Sequence, residues 1–253
     1  MMQGFLLNLA GARERLAASL RWLGGVPGLA VERLEAVDGR ALAAAEGWRF
    51  WKRVARLRFW VANARRIQPA EAGCALSHAA AWRRVAALEA AAGAVFEDDV
   101  AGDAAALGAA LKAIAGRARA ERAEVWLLEG SPAAEHALET GEPMDGGFYL
   151  VPAGPGASCA AAYVLSRAAA RRLLAANTPV SALADAWGRW AACGVKVWWV
   201  RPFPCHARGA PSQIGWVLPR RARWRWYAAL WRVRHAVGAA ADRMLVRRAW
   251  RRK

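Results

Sequence analysis

The sequence predicts an α/β fold, in which short buried strands alternate with helices along the chain. Three observations support this prediction. A strand, a helix and a second strand follow one another within the first 38 residues, the same alternation returns further along, and a triplet of acids directly follows one of the strands. Because open α/β sheets bind ligands beyond the carboxyl ends of their strands, a site is expected at that triplet.

Apolar spacing and turn residues define the opening elements. Gly4–Leu9 is a short apolar run typical of a buried strand. Residues 12–23 place leucines at helical spacing and are followed by a Gly-Gly pair, which ends a helix. Residues 30–37 form a second strand-like run that closes at Asp38-Gly39, a strong turn signal.

The later elements repeat this pattern. Helices are predicted at 70–92, 104–120 and 166–176, and strands at 125–128, 160–165 and 195–200. Residues 130–158 are rich in Gly, Pro and acids and are predicted to form a loop, and residues 202–211 are predicted to be irregular.

Composition indicates a folded cytoplasmic protein. The chain has 253 residues, of which 57% are hydrophobic, so global disorder is excluded. No apolar run approaches the roughly 18–20 residues of a membrane-spanning helix, and no basic region precedes the apolar N-terminal run, so a signal peptide is not expected. The four cysteines are too scattered for a disulfide framework or a zinc motif, which favours reduced cytosolic thiols.

The positive charge is concentrated at the C-terminus. Of the net charge of +17, residues 219–253 carry +11, from 11 Arg and one Lys against one Asp, and the other 218 residues carry +6. We therefore divide the chain into a domain at 1–218 and a basic tail at 219–253, and expect no nucleic-acid partner for the domain. Residues 220–235 place Trp and Tyr at helical spacing between arginines, which favours an amphipathic helix on an anionic membrane surface. A solvated basic tail is the alternative.

The acidic triplet Glu97-Asp98-Asp99 is the sharpest local feature. It follows the apolar run Ala94-Val95-Phe96, and three adjacent acids require a positive partner when they are buried. Alternate residues of an extended segment point the same way, so Glu97 and Asp99 can present two carboxylates to one hard cation. A solvated acidic turn, or a cap for the following helix, is the alternative.

A second feature lies on the helix predicted at 70–92. Glu71, Cys74 and His78 fall on neighbouring positions of one helix face. A structural histidine is the alternative to a catalytic or ligating one. The chain has no motif of serine hydrolases, zinc peptidases, P-loop enzymes or dinucleotide dehydrogenases.

Six short motifs occur in a specific order. They are Asn8-Leu9 with Arg15, Ala36-Val37-Asp38-Gly39, Glu71-x-Gly73-Cys74-x-x-Ser77-His78-x-x-x-Trp82, Glu97-Asp98-Asp99, Ala162-Tyr163-Val164-Leu165-Ser166 and Ser212-Gln213-Ile214. Over about residues 4–215 the chain thereby resembles glycosyltransferase family 25, the bacterial lipooligosaccharide sugar transferases related to collagen galactosyltransferases.

The resemblance implies a GT-A-like fold with a Rossmann-type sheet that binds a nucleotide sugar, usually a UDP-hexose. It implies that the acidic triplet acts as an Asp-x-Asp motif, with Glu97 and Asp99 on Mn²⁺ or Mg²⁺ and Glu97 and Asp98 near the diphosphate. Nucleotide-sugar contacts are also implied for Asn8, Leu9 and Arg15. His206 resembles the late histidine that completes the metal shell, with a structural role as the alternative.

The resemblance further implies inversion at the sugar, with Glu71 and His78 lining the site and a base that deprotonates the acceptor hydroxyl. Relatives have Pro-Val-Asp where this chain has Pro179-Val180-Ser181, so Asp185 is the candidate base, and a solvated Asp is the alternative. The expected reaction moves galactose or glucose from a UDP-sugar to a lipooligosaccharide or other surface glycan, on a cytoplasmic enzyme held peripherally at the inner membrane.

An inactive transferase scaffold that binds membranes or nucleic acid through its basic surface is the alternative function. Residues 46–66 combine seven bases with several aromatic residues and have three open roles, an anionic acceptor site, a membrane patch or core packing.

Overall fold

The computed structural model describes residues 1–63, 65–130, 141–153 and 157–208. Ten strands are assigned in these residues: β1 Met2–Asn8, β2 Leu29–Glu35, β3 Ala92–Glu97, β4 Val100–Gly102, β5 Glu124–Leu127, β6 Glu142–Met144, β7 Phe148–Pro152, β8 Ala162–Ser166, β9 Lys196–Arg201 and β10 Cys205–Ala207. The helices of the same residues are α1 Arg13–Leu23, α2 Gly39–Glu46, α3 Trp48–Lys52, α4 Arg56–Asn63, α5 Pro69–Ala86, α6 Ala104–Arg117, α7 Arg167–Ala176 and α8 Trp187–Ala192.

Eight strands form one mixed sheet in the order β2-β1-β3-β8-β5-β9-β7-β6. The pairs β2-β1, β1-β3 and β5-β9 are parallel, whereas β8 runs antiparallel to both of its neighbours. The carboxyl ends of β1, β3 and β5 therefore lie at one edge of the sheet, together with the start of β8. A separate two-stranded ladder pairs β4 with β10.

Helices cover both faces of the sheet and bury two cores. One core joins α5, α7 and α8 to one face, and its largest buried side chains include Trp82, Tyr163, Trp187 and Trp190. The other joins α1 and α6 to the opposite face, around Leu23, Leu107 and Trp126. Because strand side chains alternate between faces, neighbouring residues at the end of a strand enter different layers.

The structure confirms the mixed α/β class and the predicted alternation, and it corrects several boundaries. The helix predicted at 70–92 ends at Ala86, because residues 92–97 leave it to pair with β1. The predicted loop at 130–158 contains β6 and β7, and the predicted irregular segment at 202–211 contains β10. No described helix is both long enough and apolar enough to cross a bilayer. The predicted tail at 219–253 and its boundary at 218 lie outside the described residues.

Candidate active site

The acidic triplet lies at the carboxyl edge of the sheet, and its members enter different layers. Glu97 continues the face of Val95 and Tyr163 towards α5. Asp98 turns to the opposite side, where it meets α1. The three adjacent acids therefore have three different environments.

Asp98 is buried and fully partnered. The Nδ2 of Asn8 donates to its Oδ2 at 2.6 Å, and Arg15 forms an ion pair with its other oxygen. The Ser19 hydroxyl donates to its backbone carbonyl at 3.0 Å. These contacts fix the end of β3 against β1 and α1, so Asp98 has an anchoring function in the fold.

Asp99 is only partly neutralised. Its Oδ2 lies 3.3 Å from the Nη2 of Arg15, but its Oδ1 is buried without a hydrogen-bond partner in the described part of the chain. Burial and then the charge of Glu97 raise the pKa of this carboxyl, against the attraction of Arg15. A buried carboxylate oxygen without a donor is an available ligand for a cation.

Glu97 ends a chain of buried hydrogen bonds. The Nε1 of Trp82 donates to the Tyr163 hydroxyl at 2.8 Å, that hydroxyl lies 2.9 Å from the Nδ1 of His78, and the Nε2 of His78 lies 3.0 Å from the Oε1 of Glu97. All donors are satisfied when the hydroxyl donates to Nδ1 and Nε2–H donates to Glu97. Burial disfavours the ionised Glu97, but the hydrogen bond and electrostatic attraction of His78, together with the attraction of Arg15, outweigh burial and lower the pKa of the carboxyl.

Cys74 borders the same network one helical turn before His78. The ligand atoms of Cys74, His78 and Glu97 lie within 4.8 Å of one another, and this is the only such set of three in the described ranges. Burial, followed by the charge of Glu97, raises the pKa of the Cys74 thiol well above its usual range. The Cys74 thiol is therefore held as a neutral group at the edge of the hydrogen-bonded network.

The remaining residues of the α5 motif support the site. Both carboxylate oxygens of Glu71 bind Arg65 at 2.7 Å, and its Oε2 also accepts the backbone N–H of Gln68, which caps the start of α5. A Cβ at Gly73 would lie 2.5 Å from backbone atoms of the 37–39 turn. The Ser77 hydroxyl accepts a hydrogen bond from the backbone N–H of Val37 at 2.8 Å. The structure thus places Glu71 in the framework that positions His78.

Asp185 lies in the same electrostatic environment. It lies in the turn that precedes α8, two residues before the helix begins, and is half-buried. Burial raises the pKa of its carboxyl, with His78 opposing and Glu97 adding to the rise. Ser181 is 1% exposed, and its backbone N–H donates to Asn177. Of the two positions, Asp185 is therefore the one that is coupled to the triplet.

The sequence analysis missed Glu129. This residue lies two positions after the end of β5, is 5% exposed, and accepts the backbone N–H of Ala161 at 3.1 Å. The carbonyl of Ala161 accepts the N–H of Glu97 at 2.7 Å, so one residue of the chain links both acids. Burial, with Glu97 and Asp99 adding to it, raises the pKa of Glu129 from 4.5 to about 7. An acid directly after a buried strand was the available signal.

Two predicted residues stand at the margin of this cluster. Leu9 lies in the turn after β1, where its carbonyl accepts from the N–H of Ala12. His206 is exposed on β10 opposite Ala101, and its ligand atoms do not join those of Glu97 and Asp99 in any set within 4.8 Å among the described residues. The predicted Ser212-Gln213-Ile214 motif lies outside the described residues.

The assembled edge is strongly acidic, and an arginine pairs with two of its carboxyls. Its acids are Glu97, Asp98, Asp99, Glu129 and Asp185, and within the described ranges Arg15 is the only Arg or Lys in an ion pair with any of them, while His78 contacts Glu97. Such a cluster repels a bare anion and attracts a divalent cation. Glu129, whose pKa is about 7, can also accept a proton near neutral pH.

Comparison with known protein families identifies a family whose model matches most of the chain. The family model described as Glycosyltransferase family 25 (LPS biosynthesis protein) matches residues 1–187, which is more than half of the chain. The matched span contains the acidic triplet, the α5 motif, Glu129 and Asp185. No curated protein matches the chain.

Proposed function

The chain belongs to glycosyltransferase family 25 and is a glycosyltransferase of lipopolysaccharide biosynthesis, and from this premise we propose that it moves a hexose, galactose or glucose, from a UDP-sugar to a lipooligosaccharide or other surface glycan with inversion. The observation that carries the proposal is the acidic edge of the sheet, where Glu97 contacts His78 and its charge helps to raise the pKa of both Glu129 and Asp185. We place the donor there, in a GT-A-like arrangement.

The donor diphosphate requires a cation at this edge. Asp99 and Glu97 fit Mn²⁺ or Mg²⁺, because the Oδ1 of Asp99 is buried without a partner and only the Oε1 of Glu97 is hydrogen-bonded in the described part of the chain. When bound, such an ion neutralises the charge of the leaving diphosphate. Asp98, Asn8 and Arg15 contribute by holding the strand ends in register, and Arg15 adds a positive charge beside the phosphates.

The chain's own acids supply the proton acceptor. Asp185 is our first candidate for the base, because it is half-buried, has a raised pKa and lies outside the network that occupies Glu97. Glu129 is the second, since its pKa of about 7 suits proton transfer at neutral pH. The hydrogen bonds through Trp82, Tyr163 and His78 orient Glu97 and leave His78 as a positioning residue.

Calorimetry tests the donor site. UDP titrated into the full chain with Mn²⁺ is expected to bind, and to bind at least about tenfold more weakly without Mn²⁺ or in Asp99→Ala. The matched control is Asp145→Ala, which removes an exposed Asp far from the triplet in sequence and should leave binding unchanged. Equal affinity of Asp99→Ala and the parent would remove Asp99 from the site.

Activity assays then separate the two candidate bases. Asp185→Asn is expected to keep metal-dependent UDP binding and to lose transfer at least about a hundredfold. If Glu129→Gln loses transfer instead while Asp185→Asn stays active, the roles are reversed. The absence of binding to UDP and to other nucleoside diphosphates would instead support the inactive scaffold.

The acceptor places the enzyme at a membrane surface. A lipid-anchored glycan on the inner leaflet is reached most directly by a peripheral protein, and the basic tail at 219–253 suits docking to anionic lipid. We propose this tail as the membrane partner and the cytoplasmic face of the inner membrane as the location. Deleting 219–253 should lower vesicle binding without changing UDP affinity.

A further inference from the structure

The described surface holds a concentration of exposed apolar side chains between α3 and α4. Of the seven large hydrophobic residues that are exposed in the described ranges, four lie within residues 48–61. They are Trp48 at 64%, Leu57 at 74%, Trp60 at 53% and Val61 at 56% exposure. We call these four residues, with the bases between them, the basic-aromatic surface.

This surface is built on an anchored segment. Phe50 and Phe59 are completely buried against Ala72 and Ala75 of α5. The backbone N–H of Ala55 donates to the carbonyl of Val180 at 2.7 Å, which fixes the turn between α3 and α4. The core beneath α3 and α4 is therefore already filled by Phe50 and Phe59, and the four exposed apolar side chains remain on the surface.

On α4 the exposed apolar residues share one side. Leu57, Trp60 and Val61 stand at positions i, i+3 and i+4, which are neighbours on a helix. Phe59 is the only buried residue of α4, so the helix is attached by one side chain and presents the others to solvent. An exposed apolar patch of this kind on a helix is typical of a surface that binds a partner.

The charge of the segment selects its partner. Residues 46–66 contain seven bases and one acid, and that acid, Glu46, is paired with Arg53. Arg65 is paired with Glu71. The side chains of the other five bases have no acid within 4.0 Å in the described ranges; these are Arg49, Lys52, Arg56, Arg58 and Arg66. Like charge disfavours a second copy of this chain and the tail of net charge +11 as occupants.

We propose that the basic-aromatic surface docks on an anionic lipid bilayer. Trp48 and Trp60 suit the headgroup level, Leu57 and Val61 suit the acyl boundary, and the unpaired bases suit phosphate headgroups. A soluble anionic glycan satisfies the bases but leaves Leu57 and Val61 in water, so the bilayer accounts for more of the surface. The surface is a contact of the folded domain, independent of the tail.

Docking here orients the candidate active site. The segment packs on α5, the helix that also carries Cys74 and His78. A bilayer bound at α3 and α4 would hold the acidic edge at a constant height above the lipid. This inference does not rest on the transfer reaction, because docking is measured without substrate and can fail while the transferase proposal stands.

Vesicle co-sedimentation of the full chain tests the proposal. The probe is vesicles of phosphatidylcholine with about one-third phosphatidylglycerol, compared with phosphatidylcholine alone. The triple variant Leu57→Ser, Trp60→Ser, Val61→Ser is expected to partition at least about tenfold more weakly onto the anionic vesicles. Leu20→Ser is the matched control, since Leu20 is exposed on α1 and its loss should change partitioning less than about twofold.

A charge variant and the tail serve as further arms. Arg49→Glu with Arg58→Glu should remove most of the preference for anionic vesicles, and because every variant keeps the tail, differences report on this surface. Unchanged partitioning of the triple variant overturns the proposal. The proposal is also overturned if the charge variant loses binding to a soluble sulfated oligosaccharide but still binds vesicles. It is overturned as well if the protein forms a concentration-dependent dimer that only the triple variant loses.

Discussion

Glu129 gives the most quantitative prediction, because its burial has a direct energetic cost. The carboxyl is 5% exposed, has one backbone donor, and its pKa is raised from 4.5 to about 7. Between these two values the folded chain holds a proton that the unfolded chain releases. Its contribution to stability therefore falls as pH rises from 4.5 to about 7 and stays low above that.

The magnitude follows from the same interval. At about 1.4 kcal/mol per pKa unit, ionised Glu129 costs the fold up to about 3 kcal/mol above pH 7. Glu129→Gln keeps an oxygen for the N–H of Ala161 and removes the charge. The variant should be more stable than the parent by up to about 3 kcal/mol near pH 8, and equal to it within about 0.5 kcal/mol near pH 4.

Urea unfolding with a metal chelator present measures this difference at several pH values. The control is Glu121→Gln, an exposed carboxyl just before β5, which should change the unfolding free energy by no more than about 0.5 kcal/mol throughout. A Glu129→Gln variant that is no more stable than the parent near pH 8, or equally stabilised at every pH, would refute the reasoning.

The remaining predictions concern packing and the buried network. Tyr163→Phe leaves two buried nitrogens without a partner and should lower the unfolding free energy by about 3 kcal/mol, and a loss under about 1 kcal/mol in urea unfolding would contradict the network. Gly73→Ala should destabilise by about 3 kcal/mol or more, because its methyl group would meet the 37–39 turn at 2.5 Å. Gly116→Ala in α6 meets nothing within 4 Å and should stabilise by about 0.5–1 kcal/mol, so the reverse order of thermal midpoints would contradict the packing.

Apolar spacing and turn residues predicted correctly those helices and strands whose ends depend on nearby residues. The first strand, helix and strand lie within two residues of their predicted bounds, because apolar spacing and turn residues mark both ends of each. The end of α5 was missed by six residues, since the Ala-rich sequence after Ala86 favours a helix and only pairing with β1 makes residues 92–97 a strand. β7 was missed because its apolar run is short and lies among Gly and Pro.

Those parts of the candidate site that lie within a single sequence motif could be predicted from the sequence. The family resemblance implied that the triplet and His78 line one site, and in the structure Glu97 and His78 are in contact. Glu71 looked equally promising on the helix face, but its pairing with Arg65 depends on a tertiary contact that spacing does not reveal. Glu129 escaped notice because nothing adjacent to it in the sequence is acidic, and only the sheet order brings it beside Glu97.

The division of the triplet between two layers makes its three acids non-interchangeable. Deleting or inserting a single residue within β3 would turn every following side chain over. After a deletion Asp98 would face His78 and Asp99 would face Asn8 and Arg15, whereas after an insertion Phe96 would take the place of Glu97 and Glu97 that of Asp98. Shortened or lengthened forms of this strand should therefore lose both the anchor on α1 and the network on α5 at once, whereas substitutions damage one of them at a time.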